Sequence, residues 1–254
     1  MRCLRVATTC AVAVALTAAA AAAPAGAAND QRSVRPLGQN RELRTERLSD
    51  ERRVSRYAGA VSRAAVRAQP SPDARRVGAL HLLTEDGPFE VYPVLDSHVD
   101  ARGRTWLHIR LPARPNGRTG WVPRHDLGPL EAVRTMLRVN RTTLQATLYR
   151  GGRRIWTSPI GVGARSTPTP AGRFWIRSRL RGLAGSPVYG PYAFGTGAYS
   201  VLSDWPGGGV IGIHGTNEPQ LIPGRPSHGC IRVPNAAITR LYALMPVGTP
   251  VRII

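Results

Sequence analysis

From Tyr57 to Ile254 the apolar residues come in short stretches separated by Gly, Pro, Asp and Asn, and this spacing limits the fold more than any other feature. Stretches of this length between turn residues read as β-strands, because a helix would need a longer run with a 3.6-residue period. In residues 57–130 they fall at 59–66, 78–83, 89–95, 105–111 and 120–122, the pattern of a small all-β barrel. In residues 133–254 they fall at 137–139, 144–149, 155–162, 173–178, 208–213 and 230–233, with Gly151-Gly152 as a hairpin signal. Only one segment has helical spacing: Ile238, Leu241, Tyr242 and Met245, with Asn235 as the expected cap of a helix over 236–244. The predicted fold is mainly β, with one flanking helix and a closing strand at 251–254.

The first residues point to export. Arg2 and Arg5 precede an apolar run over 6–23, and Ala25-Gly26-Ala27 fits a signal-peptidase site, so residues 1–27 read as a signal peptide. An uncleaved membrane anchor is the alternative, since a spanning helix needs ~17 to 20 residues. Once the signal is cleaved, nothing later in the chain is expected to hold it in a membrane. Residues 28–56 are polar and read as a linker with a short helix at most, on which Leu43, Arg47 and Glu51 share a face. The chain carries a net charge of +20, and every basic residue is Arg. Such charge often serves nucleic acid, but an exported protein rarely meets any. Anionic cell-wall polymers are the expected partners, in the wall or a periplasm-like space.

Cys3 and Cys10 leave with the signal, so Cys230 remains as a single thiol in an oxidising compartment, with no intramolecular disulfide partner. Such a thiol calls for either burial or chemistry. Residues 133–254 hold fifteen Arg but only two acids, Asp204 and Glu218. That argues against a carboxylate-pair glycosidase and weakens an aspartate-backed triad. A thiol with imidazole is the nucleophile and base that remain.

The segment around that thiol is Ser227-His228-Gly229-Cys230-Ile231-Arg232-Val233-Pro234-Asn235, with His214-Gly215-Thr216 sixteen residues upstream of Cys230. Together with Thr169-Pro170-Ala171-Gly172-Arg173-Phe174 and Ile211-Gly212-Ile213, it resembles the L,D-transpeptidase family, with a YkuD-type catalytic domain over 133–254. The resemblance implies Cys230 as nucleophile, His214 as its partner and the Gly215 carbonyl as the group orienting the imidazole. It also implies acyl transfer on peptidoglycan tetrapeptide stems through a thioester, with no cofactor. A free thiol has a pKa near ~8.5 and needs such help, either in a thiolate–imidazolium pair or by giving up its proton during attack. Hydrolysis of the same acyl-enzyme (an L,D-carboxypeptidase), attachment of a protein amine, and a noncatalytic wall-binding role are the alternatives.

The neighbouring residues have chemical readings of their own. Gly229 permits tight geometry, and its amide with that of Cys230 is expected to form an oxyanion hole. His228 either lines the site or holds its loop, and Ser227 is expected to hydrogen-bond within the loop. Arg232, two residues past Cys230, shares its face on a strand and is suited to a substrate carboxylate, unless it is a solvated surface residue. Thr216 is a further expected substrate contact. Tyr189, with Tyr192 and Phe194, is expected in a flap over the donor stem, and Trp205 is either flap or core. His214, His228 and Cys230 are zinc-ligand types, but no nearby acid is placed as the general base of a zinc peptidase, and no metal is expected. Upstream, Ala65-Val66-Arg67, Val77-Gly78, Trp106-Leu107-His108-Ile109-Arg110 and Gly120-Trp121-Val122 resemble a bacterial SH3-type domain over 57–130, with Trp106 either core or groove.

Overall fold

The computed structural model describes residues 45–182, 186–204 and 206–254, so residues 1–44, where the signal peptide is expected, residues 183–185 and Trp205 lie outside the described residues. The first eight strands are β1 (Thr45–Arg47), β2 (Ser55–Gly59), β3 (Ala65–Arg67), β4 (Arg76–Ala79), β5 (Val91–Val99), β6 (Thr105–Arg110), β7 (Thr119–Pro123) and β8 (Glu131–Val133). They form an antiparallel sheet in the order β4-β3-β7-β6-β5-β2-β8, with β1 added to β5. Its core gathers Val66, Tyr92, Val94, Leu107, Ile109 and Val122. Trp106 is buried, and its ring N–H donates to Asp100 at 2.9 Å.

The polar linker expected to reach residue 56 needs correction. Residues 45–56 hold β1 and the start of β2, joined by a turn in which Asp50 Oδ1 accepts the amides of Arg52, Arg53 and Val54. No helix forms there. Glu51 instead adopts φ 55° and pairs with Arg110 and Arg173. Composition alone does not show these tertiary partners, one of which lies 122 positions away.

The remaining strands are β9 (Thr135–Asn140), β10 (Gln145–Arg150), β11 (Arg153–Pro159), β12 (Gly161–Gly163), β13 (Gly172–Arg181), β14 (Tyr192–Tyr199), β15 (Val210–His214), β16 (Gly224–Ser227), β17 (Ile231–Arg232) and β18 (Pro250–Ile253). Their order is β11-β10-β9-β18-β13-β14-β15-β17-β12-β16. Most pairs are antiparallel, but β15 runs parallel to β17, which matters for the site. Gly151 and Gly152, both at positive φ, close the β10–β11 hairpin. Helix α1 (Asn235–Leu244) buries Ile238, Leu241 and Tyr242 against this second core, each worth roughly 1.5–3 kcal/mol. Asn235 does not cap it: Pro234 occupies the cap position without a side-chain bond, and the Asn235 amide oxygen is used elsewhere.

Strand β13 joins the two sheets, because alternation sends successive side chains to opposite faces. Phe174 and Ile176 enter the second core, whereas Trp175 and Arg177 reach toward the first sheet. The Trp175 ring N–H donates to the Val91 carbonyl at 2.8 Å, and its ring covers Gly197, where any Cβ would collide. Arg177 is buried against Glu90 and also pairs with Glu85 at 2.9 Å. Both sheets belong to one compact unit, Asn40–Ile254.

Candidate active site

Parallel pairing of β15 and β17 places Ile213 beside Ile231 and His214 beside Arg232, so Cys230, just before β17, faces the end of β15. The amide of Gly212 donates to Cys230 Sγ at 3.3 Å. A Cβ at Gly212 would lie 3.6 Å from His214 Cδ2 and 3.7 Å from Cys230 Sγ, so imidazole and thiol both border this one position. Cys230 is half-buried and lines both of two adjoining recesses.

The imidazole is fixed from two sides. His214 Nδ1 lies 2.6 Å from the Gly215 carbonyl, which can only accept, so Nδ1 carries the proton and Nε2 keeps its lone pair. The edge of the Tyr189 ring packs on it at 4.9 Å and 71°. Burial pushes the His214 pKa down to about 4, with the Gly215 carbonyl opposing and Arg232 adding to the depression. Burial likewise pushes the Cys230 thiol up, opposed by the Gly212 amide and Arg232. Both directions favour a neutral thiol beside a neutral imidazole at rest, rather than an ion pair.

The loop before Cys230 is held by its own sequence. Gly229 sits at φ 128°, and a Cβ there would come within 2.7 Å of Ile211 Cδ1, so only glycine fits. Ser227 Oγ donates to the Cys230 carbonyl at 2.6 Å and accepts the Gly229 amide at 3.2 Å. One of the two amides expected at an oxyanion hole is therefore already engaged. The other motif, far upstream, reaches the same loop: Thr169 Oγ1 donates to the Gly229 carbonyl at 2.7 Å and accepts the Gly163 amide at 2.9 Å. His228 is exposed and lines the smaller recess, and its carbonyl accepts Ser200 Oγ.

Arg232 lines that recess too, is mostly buried, and pairs with Glu218 at 2.6 Å, while its Nε has no partner among the described residues. Thr216 is not a wall of either recess. It is 1% exposed, its amide donates to Asn235 Oδ1 at 2.9 Å, and its hydroxyl accepts the Glu218 amide, so it braces the loop rather than meeting substrate. The roles of Asn235 and Thr169 were hidden in the sequence, although both stand inside the motifs. Among the described residues, no group of three or more His, Cys, Asp and Glu is placed to hold a metal ion.

Fold and site together define a mainly β domain that presents a histidine at the end of β15 and a cysteine just before β17, the strand parallel to it. Residues 134–253, which span the second sheet with its helix, match the model of the YkuD L,D-transpeptidase catalytic domain. Proteins named as YkuD L,D-transpeptidases are similar to the chain in Bacillus subtilis (37% identical over 107 residues, 42% of this chain and 58% of the relative). One in Bacillus licheniformis is 36% identical over 120 residues, covering 47% of this chain and 64% of the relative. The chain thus spans 58% and 64% of the length of these relatives. A solved Enterococcus faecium L,D-transpeptidase mutant is 28% identical, covering 47% of this chain and 49% of that chain, with a TM-score of 0.38.

Proposed function

We propose that the protein is an exported L,D-transpeptidase that cross-links peptidoglycan through a cysteinyl acyl-enzyme. The Cys230 thiol, which lines both recesses and borders a histidine held in one tautomer, is the observation that carries this reading. Cys230 attacks the amide between the third residue of a tetrapeptide stem and the terminal D-Ala. His214 Nε2 takes the thiol proton as the C–S bond forms, which suits a neutral pair, and gives it to the departing amine. The Cys230 amide, with Gly229 holding the turn, faces the developing oxyanion, a contact of the kind worth ~3 kcal/mol. Arg232, which lines the smaller recess and whose Nε has no partner among the described residues, suits a stem carboxylate. Tyr189 covers the imidazole and lines both recesses. The amine of a second stem then resolves the thioester.

The same proposal includes cleavage of residues 1–27, a cell-wall or periplasm-like location, and a bacterial SH3-type character for residues 57–130. The basic surface suits anionic wall polymers. Intact-mass analysis after exposure to a tetrapeptide donor or a carbapenem tests the core of it. The acyl adduct is expected on wild type and absent from Cys230→Ala. An adduct that persists in the variant rules out this nucleophile, and tripeptide products without dimers rule out transpeptidation.

A further inference from the structure

The larger recess beside Cys230, about 220 Å³, has a wall that the catalytic sheet does not supply. It is lined by Leu180, Phe194, Gly195, Gly212 and Cys230, and by Asp86 from the first sheet's β4–β5 connection. Asp86 is at the tip of a tight turn in which the Thr84 amide donates to Pro88 and the Gly87 amide to Thr84. The residues around the turn are pinned. Glu85 binds Arg177 and accepts the Tyr199 hydroxyl at 2.5 Å, and Glu90 is buried on Arg177. The tip is therefore held in place over the second sheet.

Gly195 of β14 and Gly212 of β15 are register partners, so their Cβ positions face the same side, roughly 5 Å apart. Cys230 Sγ lies 3.7 Å from the Gly212 position, and Asp86 Oδ2 lies 3.4 Å from the Gly195 position. Two facing glycines thus make a bare floor with a thiol at one end and a carboxylate at the other. The Ser178 hydroxyl crowds the same Gly195 position and is buried, with no hydrogen-bond partner among the described residues. Burial and then the neighbouring Glu85 raise the Asp86 pKa, with Arg177 opposing, so a cation arriving beside it would favour the charged carboxylate. The two recesses therefore differ in sign: Arg232 is the arginine of the smaller one, and Asp86 is the acid of the larger one, which has no arginine in its wall.

Resting on the function proposed above, we infer that the larger recess is the acceptor arm, and that Asp86 selects a primary ammonium group as the incoming acyl acceptor. The carboxylate draws the cation onto the glycine floor. The acceptor loses one proton to solvent, its nitrogen attacks the thioester carbonyl, the C–N bond forms and the C–S bond breaks. The second nitrogen proton goes to the Cys230 sulfur, by way of His214. Water and neutral nucleophiles gain nothing from the carboxylate. Asp86 is thus a specificity residue contributed by the first sheet.

The test uses the full chain with a tetrapeptide donor and a titrated tripeptide acceptor bearing a free side-chain ammonium. The readouts are the dimer-to-hydrolysed-tripeptide ratio and the acceptor KM. Asp86→Asn is expected to raise that KM about tenfold, the size of one charge-assisted contact, with a much smaller change in kcat. Asp86→Glu is expected to recover part of it. With hydroxylamine as a neutral acceptor, the variant and wild type are expected to match. If wild type forms acyl-Cys230 by intact mass and Asp86→Asn keeps the wild-type acceptor KM, the inference is overturned. An equal loss with hydroxylamine also overturns it. If wild type forms no acyl-Cys230, the underlying function fails instead.

Discussion

The hydroxyl of Thr169 donates to the carbonyl of Gly229, 60 positions away, and so ties the β12–β13 connection to the residue preceding Cys230. The same oxygen accepts the Gly163 amide, so Thr169→Val leaves two buried backbone groups unpaired. The expected cost is about 1–3 kcal/mol of stability together with slower acylation of Cys230. Thr169→Ser keeps the hydroxyl and is expected to restore both. Urea unfolding and stopped-time intact mass check the pair, and an unchanged Thr169→Val protein would contradict the role.

Arg177 and Glu90 are 4% and 0% exposed and bridge the two sheets. Glu90→Gln leaves the guanidinium without its buried counter-charge, a change of the kind that costs about 3–5 kcal/mol. The urea midpoint is expected to fall accordingly. A shift under about 1 kcal/mol, the range of an exposed ion pair, would show that Glu85 alone suffices.

The His214 pKa, pushed down to about 4 by burial, sets two pH dependences. The imidazole stays neutral well below its ordinary ~6.5, so acylation is expected to hold its rate to about pH 5 and fall toward pH 4. An acid limb at the ordinary histidine value would contradict this. For stability, the unfolded chain binds the extra proton first as pH drops. The contribution of His214 is therefore complete above ~6.5 and is lost as pH falls through the folded value. His214→Gln is expected to flatten that part of the stability–pH curve.

Asn235 holds the Thr216 amide, and Cβ atoms at Gly190 or Gly215 would collide with its side-chain oxygen. Asn235→Ala releases the segment whose Gly215 carbonyl fixes the imidazole. The acylation rate is expected to fall by roughly ten- to a hundredfold, as for a misplaced catalytic group, with a stability loss of only about 1 kcal/mol. If melting temperature falls steeply while the rate stays, Asn235 serves the fold instead.

The strands and helix α1 were legible because alternation and helical spacing are local, and two short motifs pointed to Cys230 and His214, which the fold brings to one position. What the sequence hid is long-range. The scarcity of acids in residues 133–254 is real, yet Glu85, Asp86 and Glu90 arrive from the other sheet, and only the fold shows that they meet Arg177 or approach Cys230. Asn235 read as a helix cap because Asn before an apolar periodic run usually is one. Here Pro234 starts the helix, which frees the amide side chain for Thr216. Thr216 read as a substrate contact from its place after His214, but its burial is a tertiary fact.

The Trp175 and Arg177 side chains have a consequence for engineering. A catalytic fragment cut free upstream of residue 134 would bare an indole and a guanidinium whose partners, the Val91 carbonyl and Glu90, stayed behind on the discarded piece. Swapping in a different front half would require grafting those partners as well, so the two halves of this chain are one structural part.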